Sequence, residues 1–448
     1  VQRRLKASIS FKRKYVIDLL ITLFLLFLLY RLLVLFNTYG LKAFGSISFI
    51  YIASAAYVSL LSLLSIFDFP AKTNRKEQSK LNKLNVVVSV PVYNEDPLLL
   101  QECLESLIAQ SRKPNRIIVV DDGSTQVSYF KTKKYINALS KKRGIKLNWY
   151  RTENFGKRHA QYYAFSKARN AEIFITVDSD TQLDRSAIKE GLKPFKNEDV
   201  ASVAGVVLAK NSNVSILGRM MDNWYVTSQL SNRAGLSATG NVMVNSGALA
   251  FYRSDIIFNN IDSYLSETFF GKEVKMSDDS MLTLFANLSG KTVQQSSSIV
   301  FTAMPTKINH HIRQYTRWMR GSFIRSWWRI KYLPLNNFGF WYQVYGWAVF
   351  YVLLPFSLII AVTNIDLIFQ ILLYMLLINI IYSFTHTVRY LQLERSDMSS
   401  FNQIINFLMT PLALIWSLAV LRIVKIYAVS TCLQSGWGTR KKVEVVSS

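Results

Sequence analysis

Long apolar runs along this chain alternate with segments whose apolar positions recur every two, or every three to four, residues. Val16 to Phe36 is almost unbroken in apolar residues, interrupted by Arg31, and Ile47 to Phe67 repeats the pattern. Both have the length of a membrane-crossing helix, about 20 residues. Ala53, Ala55 and Ala56 in the second run permit close helix packing. Trp341 to Val362 and Ile365 to Phe384 form a further pair of candidate spans, joined by a very tight turn. Between the pairs the texture changes. Asn85 to Pro91 reads as a buried strand, and Pro97 to Gln110 carries helical spacing. Arg116 to Val120 and Ile173 to Val177 read as two more strands. Strands alternating with helices predict a parallel sheet with helices on both faces. Ligands in such sheets sit at the carboxyl ends of the strands.

Charge orients this pattern. Arg3, Arg4, Lys6, Lys12, Arg13 and Lys14 precede the first run, and Lys72, Arg75, Lys76, Lys80 and Lys83 follow the second. The connector between them holds only Lys42, so both flanks are expected on the cytosolic side. The apolar run has no small-residue cleavage site after it and reads as an anchor. Hydrophobic residues make up 50% of the chain and charged residues 18%, with a net charge of +25. Such an excess suits an anionic substrate, anionic lipid or nucleic acid. Ile308 to Leu333 mixes Arg313, Arg317, Arg320, Arg325, Arg329 and Lys331 with Trp318, Phe323, Trp327, Trp328 and Tyr332, the pattern of a helix lying in the membrane interface. Its place directly before an apolar run favours the membrane over nucleic acid, and no nucleic-acid partner is expected. Ile404 to Val424 is long enough to cross, but a crossing would put Arg440, Lys441 and Lys442 outside, against the charge rule. It is therefore expected to be interfacial or re-entrant. Cys103 and Cys432 are too far apart for a disulfide framework or a cysteine metal motif.

The expected organisation follows. It has a basic cytosolic N-terminus (1–14), two spans (15–69), a cytosolic catalytic domain (85–303), interfacial amphipathic helices (304–335) and two more spans (341–384). An interfacial or re-entrant helix (401–427) and a cytosolic tail (428–448) complete it.

The chemistry-bearing residues cluster at the predicted strand ends. Asp121 and Asp122, with Gly123 and Ser124, follow the second strand and can hydrogen-bond a base or a ribose. Alone, Asp-Gly-Ser is also an ordinary turn. Asp178-Ser179-Asp180 ends the next strand, and two carboxylates so spaced can share a divalent cation that bridges to substrate phosphates. Gly156-Lys157-Arg158 is a small basic loop able to pair with diphosphate oxygens, or a solvated turn. Ser277-Asp278-Asp279 opens a helical pattern. Its acids either cap that helix or supply a general base, and adjacent carboxylates raise the pair's proton affinity. Gln314, Arg317 and Trp318 fall at i, i+3 and i+4, on one helical face, and make a platform for a sugar and a phosphate or an interfacial anchor.

In this order, with Val90-Pro91-Val92-Tyr93-Asn94-Glu95 ahead of them, the motifs resemble a processive family 2 glycosyltransferase. Gly156-Lys157-Arg158-His159-Ala160, Ser246-Gly247-Ala248-Leu249 and Trp437-Gly438-Thr439-Arg440 resemble hyaluronan synthases more narrowly. The resemblance implies an α/β GT-A domain with a mostly parallel sheet, fused to an α-helical transmembrane region in the plasma membrane. It implies an inverting transfer from UDP-sugars, UDP-GlcNAc and UDP-GlcA for hyaluronan, to a growing polysaccharide that leaves through the same chain; a glucose/glucuronate capsule synthase, which also resembles this chain at Trp437-Gly438-Thr439-Arg440 and Ser277-Asp278-Asp279, a chitin or cellulose-like synthase, or a non-processive lipid-linked sugar transferase is the alternative. It further implies Mg2+ or Mn2+. Carried over by position, Asp121 or Asp122 contacts uridine, and Lys157, Arg158, Arg317 and Arg440 hold the diphosphate, with Gln314 and Trp437 beside them. Asp180 binds the metal with help from Asp178, and Asp279 is the base next to Asp278. Trp318 stacks on the acceptor, which also meets Ser246 and Gly247. There are departures. Hyaluronan synthases usually have Gly-Asp-Asp-Arg where this chain has Ser277-Asp278-Asp279-Ser280, and Ala248 stands where a proline is common.

Overall fold

The computed structural model describes residues 5–9, scattered positions between 19 and 34, and residues 56–57, 59–363, 365 and 368–434. About half of each of the first two expected spans, and Trp437 and Arg440, lie outside the described residues.

The sequence Val-Val-Val-Ser-Val-Pro-Val folds as strand β2 (Val86–Val92), buried throughout. It pairs in parallel with β3 (Arg116–Asp121) and β5 (Ile173–Thr176). Ser89 accepts from Val177 on the β5 side and Val92 from Asp122 on the β3 side. Pro91, two residues after Ser89, therefore turns its missing N–H toward the β5 side, beyond the last β5 pair. Alternation assigns the two faces. Val88, Val90, Ile117 and Val119 pack into one cluster with Leu100 and Leu104, while Val87, Ile118 and Val120 join Phe165 and Phe174 on the other.

The complete sheet runs in the order β4-β3-β2-β5-β8-β7-β11-β6. Its further strands are β4 (Lys146–Arg151), β6 (Thr181–Leu183), β7 (Val200–Ala209), β8 (Ala250–Arg253) and β11 (Lys291–Thr302). The sheet is mixed, and six of its eight strands run in one direction, in keeping with a mostly parallel sheet. β8 lies antiparallel to both β5 and β7, and β6 antiparallel to β11. β8 enters from the loop after residue 239 and is laid back between two strands that run the other way. Two smaller pairings complete the strands. One is a hairpin of β9 (Thr268–Phe269) and β10 (Lys272–Glu273). The other joins β1 (Ala7–Ile9), near the start of the chain, to β12 (Leu393–Arg395). Leu5, Ala7 and Ile9 pack on Val206, Leu208, Phe301 and Leu393, so this pairing docks on the catalytic sheet.

Three helices position the site. Lys157–Ser166 starts after Gly156, which sits at φ 94. Asp278–Ser289 starts after Ser277, a non-glycine residue in the left-handed region at φ 58. Ile308–Tyr332 is one unbroken helix of 25 residues. Among the described residues, one helical run, Thr410–Ser430, is long and apolar enough to cross a membrane.

Candidate active site

The strand-end motifs converge because their loops are tied to one another. Asn94, at φ 46, accepts from the backbone N–H groups of Thr125 and Gln126, and its own N–H donates to Ser124. Glu95 accepts from Ser179 at 2.8 Å. The Val90–Glu95 stretch thus joins the Asp121–Ser124 turn to the Asp178–Asp180 turn. Above them lies a cavity of about 580 Å3, of the size that takes a nucleotide-sized ligand.

A cationic centre with three carboxylates around it lines that cavity. Lys157 Nζ lies 2.8 Å from Asp178 and 3.1 Å from Asp278. Burial alone would depress the Lys157 pKa, but Asp178, Asp278 and Asp279 together raise it, so the ammonium stays charged. Burial also opposes ionisation of Asp278, yet Lys157 holds its carboxyl below the ordinary range. Asp279 goes the other way. Burial, then the adjacent Asp278 charge, push it up to about 6. One Asp279 oxygen accepts from the Gly247 N–H at 3.2 Å, the other from Ser280 at 2.7 Å. A Cβ on Gly247 would sit 3.0 Å from Lys157 Nζ and 3.2 Å from an Asp178 oxygen, so the backbone there approaches the charges as only glycine allows. Asp180 lines the same cavity and accepts from Thr302.

Gln314, Arg317 and Trp318 line the cavity on one face of the 308–332 helix, as their spacing predicts. The Trp318 ring meets Tyr225 edge to face, with centroids 5.7 Å apart. Ser246 and Gly247 also line the cavity. Of the two acids after β3, Asp122 reaches it and accepts from Phe155 and Gly156 N–H; burial pushes its carboxyl up to about 6. Asp121 instead folds back on its own turn, accepting from Ser124 N–H and facing Arg151 at 3.9 Å.

Arg158 departs from the expectation that it sits beside Lys157 on a diphosphate. Its buried guanidinium points away, to Glu267 at 2.7 Å and to the Met276 and Tyr264 carbonyls. Consecutive helical residues point about 100° apart, so only one of this pair can face the cavity. Glu267, which the motif reading missed, also accepts from Arg325 and from Trp328 Nε1. It thereby fixes the 157–166 helix, the carbonyl just before Ser277 and the 308–332 helix against one another. Gly321 was missed as well. A Cβ there would lie 1.6 Å from Ser277 Oγ, so the long helix rests directly on the Ser277 turn. Its signal was available, since Gly321 lies one helical turn beyond Arg317.

Among the described residues no group of three or more His, Cys, Asp or Glu side chains closes a metal cage. The Asp178 and Asp180 carboxylates, both on the cavity wall, nevertheless fit magnesium or manganese. These cations bind through one or two protein carboxylates and take their other oxygens from water and substrate phosphates.

A charged, partly enclosed cavity at the strand ends of a mixed α/β sheet is the arrangement of a nucleotide-sugar transferase of GT-A type. The fold agrees with a mannosyltransferase from Pyrobaculum calidifontis, solved with GDP-Man and Mn2+. The TM-score is 0.53 at 17% identity, over 87% of this chain and 99% of that one. The glycosyl transferase family 2 model matches residues 87–258, and the glycosyl transferase family group 2 model matches 173–384. The hyaluronan synthase of Streptococcus pyogenes serotype M1 is 34% identical over 370 residues, covering 82% of this chain and 86% of the relative. An N-acetylglucosaminyltransferase of Azorhizobium caulinodans is 31% identical over 282 residues, covering 61% of this chain and 70% of the relative. The chain belongs to glycosyl transferase family 2, as a hyaluronan synthase-like glycosyltransferase.

Proposed function

We propose that this enzyme is a membrane-integrated, processive, inverting synthase that builds hyaluronan from UDP-GlcNAc and UDP-GlcA and passes it outward through its own helices. The observation that carries the reading is the Lys157–Asp178–Asp278–Asp279 cluster in one cavity with Trp318. The likeness to a hyaluronan synthase over most of both chains supports hyaluronan as the polymer.

In this reading Asp122 holds the uridine end of the donor. Lys157 and Arg317 neutralise charge on the departing diphosphate, with Gln314 beside them, and Trp437 and Arg440 complete that grip. Asp180 and Asp178 hold the divalent cation, which when bound supplies further positive charge at the diphosphate. Trp318 presents the acceptor sugar by stacking, and Ser246 and Gly247 border it. Asp279 takes the proton of the acceptor hydroxyl as that oxygen attacks the anomeric carbon from the face opposite UDP. Gly247 N–H keeps the carboxylate aimed, and its raised proton affinity suits a base working near neutrality.

Lipid contact is supported by exposed apolar side chains. Leu20, Leu23, Phe24 and Phe27 are exposed in the first run, and Phe369, Leu372, Leu373, Leu376 and Leu377 in the helix Ile368–Thr387. The 410–430 run packs alongside the 308–332 helix, His311 against Trp416 and Arg320 against Tyr427 and Thr431. A helix tied along its length to one that carries Gln314, Arg317 and Arg320 shares its depth. That supports an interfacial position for 410–430, with true spans on either side of the catalytic domain.

Purified protein in liposomes with Mg2+ or Mn2+ is expected to release UDP and form a large, hyaluronidase-sensitive product only when both donors are present. A large product from UDP-GlcNAc alone, the outcome that the N-acetylglucosaminyltransferase relative favours, would keep the chemistry and replace the polymer. Asp279→Asn should bind UDP and fail to elongate.

A further inference from the structure

The helical run 216–238 leans on the catalytic sheet and turns one side to the cavity. It is α-helical over Ile216–Thr227, widens to a π-helical turn over Ser228–Arg233 and returns to α over Ala234–Ala238. On the side facing the protein its polar side chains are engaged. Asn223 donates to the Asn406 carbonyl and to Thr410, and Thr227 to Thr387. Gln229 bonds both the N–H and the carbonyl of Val207, and Ser231 donates to the His386 carbonyl.

Tyr225, Ser228 and Asn232 differ. All three line the cavity, and among the described residues none of their side-chain polar groups makes a hydrogen bond within the protein. Buried polar groups that serve packing are hydrogen-bonded, as the other face of this helix is. Ser228 lies three residues after Tyr225 and Asn232 four after Ser228, spacings that share one face of a helix. The wide turn falls between the last two, and such turns are rare and concentrate at functional sites.

Their chemistry and surroundings point to a sugar. The Tyr225 ring meets Trp318 at 73°, with centroids 5.7 Å apart, so a sugar stacked on that indole is bordered by Tyr225. Burial raises the phenol's pKa more than the Arg317 charge lowers it, and the hydroxyl stays a donor. A phenol, a hydroxyl and an amide offer neutral donors and acceptors, the complement of sugar hydroxyl and N-acyl groups. A diphosphate is matched instead by cations. Gln229, within the same strip of helix, is bonded to β7, four places along the sheet from β3, which leads to Asp122. The three side chains thus stand across the cavity from the uridine end.

We infer that Tyr225, Ser228 and Asn232 form a hydrogen-bonding wall of the acceptor site, holding the hydroxyl and amide groups of the sugar that stacks on Trp318. The inference rests on the proposed polymerase reading and adds to it the residues that grip the acceptor.

The test uses the full chain in nanodiscs. UDP release and product size with donors singly and in pairs are measured first and score the polymerase reading by themselves. Affinities for chitotetraose and for UDP are then compared in the parent, Tyr225→Phe, Ser228→Ala, Asn232→Ala and, on the far face of the helix, Thr227→Val. Tyr225→Phe keeps the ring against Trp318 and removes only the hydroxyl. Each of the three cavity variants is expected to lose roughly three- to tenfold in chitotetraose affinity, the size of one neutral hydrogen bond. Their UDP affinity should change less than twofold, and Thr227→Val should keep both affinities. Comparable losses for UDP and chitotetraose, or an equal loss of chitotetraose affinity in Thr227→Val, would make the helix structural and overturn the wall. Parental chitotetraose affinity in all three cavity variants would overturn it too, as would a parent that binds no chitotetraose. Release of UDP without a polymer would refute the polymerase reading alone, and the chitotetraose affinities would still score the wall.

Discussion

Asp279 should set the acid limb of the pH–rate profile, and its neighbour should move that limb in a known direction. An ordinary aspartate titrates near 3.9, while Asp279 is pushed up to about 6, roughly a hundredfold gain in proton affinity. The base must be ionised, so elongation should be close to its plateau at pH 7, where about 90% of the carboxylate is charged, and fall tenfold per pH unit below about 6. The largest cause is burial and the second is the Asp278 charge. Asp278→Asn removes that charge and frees Lys157, which lies 3.1 Å from Asp278, to act on Asp279 more strongly. Both changes lower the limb. Burial remains, so it should stop short of the ordinary value. Lys157→Met should raise it. The assay is initial UDP release with both donors from pH 4.5 to 8.5, with the limb read from the shape of the profile and not from its height. The sign for stability is the reverse of the catalytic one. Because the folded pKa is raised, the folded state holds a proton between about pH 4 and 6 that the unfolded chain releases. The group's stabilising contribution is thus complete below about pH 4 and lost as pH rises through 6. Asp279→Asn should therefore be more stable to unfolding than the parent at pH 8, by about 1–2 kcal/mol after allowing for the side chain's partial exposure to the cavity, and show no gain at pH 4. A limb that stays put, or rises, in Asp278→Asn would refute the electrostatic account of this pair.

Other expectations are as direct. Glu267→Gln should cost about 3 kcal/mol in thermal or denaturant unfolding, since it leaves two buried guanidiniums, Arg158 and Arg325, without their carboxylate. Burial opposes ionisation of Glu267 but the two arginines outweigh it and lower its pKa, so its contribution is present above the ordinary glutamate range and lost on acidification below it. Parental stability in Glu267→Gln would show the network to be dispensable. Asp180→Asn should raise the Mg2+ or Mn2+ concentration for half-maximal UDP release at least about tenfold, and chelation should silence the parent; an unchanged metal titration would move the cation elsewhere. Gly321→Ala should destabilise by about 1–3 kcal/mol and slow elongation, because its Cβ would lie 1.6 Å from Ser277 Oγ and 2.7 Å from Ser277 Cβ. Ser277→Gly removes those atoms and the left-handed strain at φ 58, so the double variant should regain most of the loss; strictly additive effects would refute the contact.

The Asp121–Ser124 and Asp178–Asp180 motifs were legible because they lie at the ends of strands marked by β-branched runs. Val86–Val92 and Arg116–Asp121 fall within a residue or two of the expected bounds. Direction was not legible. Ala-Phe-Tyr-Arg at β8 has the same pattern read either way, and only its neighbours decide that it runs antiparallel. Nor does a motif say which of two adjacent side chains does its work. Asp121 and Asp122 leave the strand end on different sides, and Lys157 and Arg158 sit about 100° apart on a helix, so in each pair one member reaches the cavity. Glu267 carried no signal, because it lies in an irregular segment and its partners Arg158, Arg325 and Trp328 are 109, 58 and 61 residues away.

How the acids are placed explains why so basic a chain has a defined interior. There are 28 acidic residues against 53 lysines and arginines, so nearly half of the cations cannot have a carboxylate of their own. Buried carboxylates stand where an arginine must be fixed. Glu267 holds two of them, and Asp222 with Asp397 holds Arg395, whose strand pairs with β1 from the other end of the chain. In the cavity the acids are given to Lys157, which Asp178 and Asp278 hold in place. On the same cavity wall Arg233 donates to Gln229, Gln294 and the Gly205 carbonyl with the Asp68 charge acting on it, and Arg329 donates to the Met243 carbonyl with the Asp279 charge acting on it. A uniform positive field would serve only to attract anions. An interior whose carboxylates fix particular cations in place can also hold a bound anion by position.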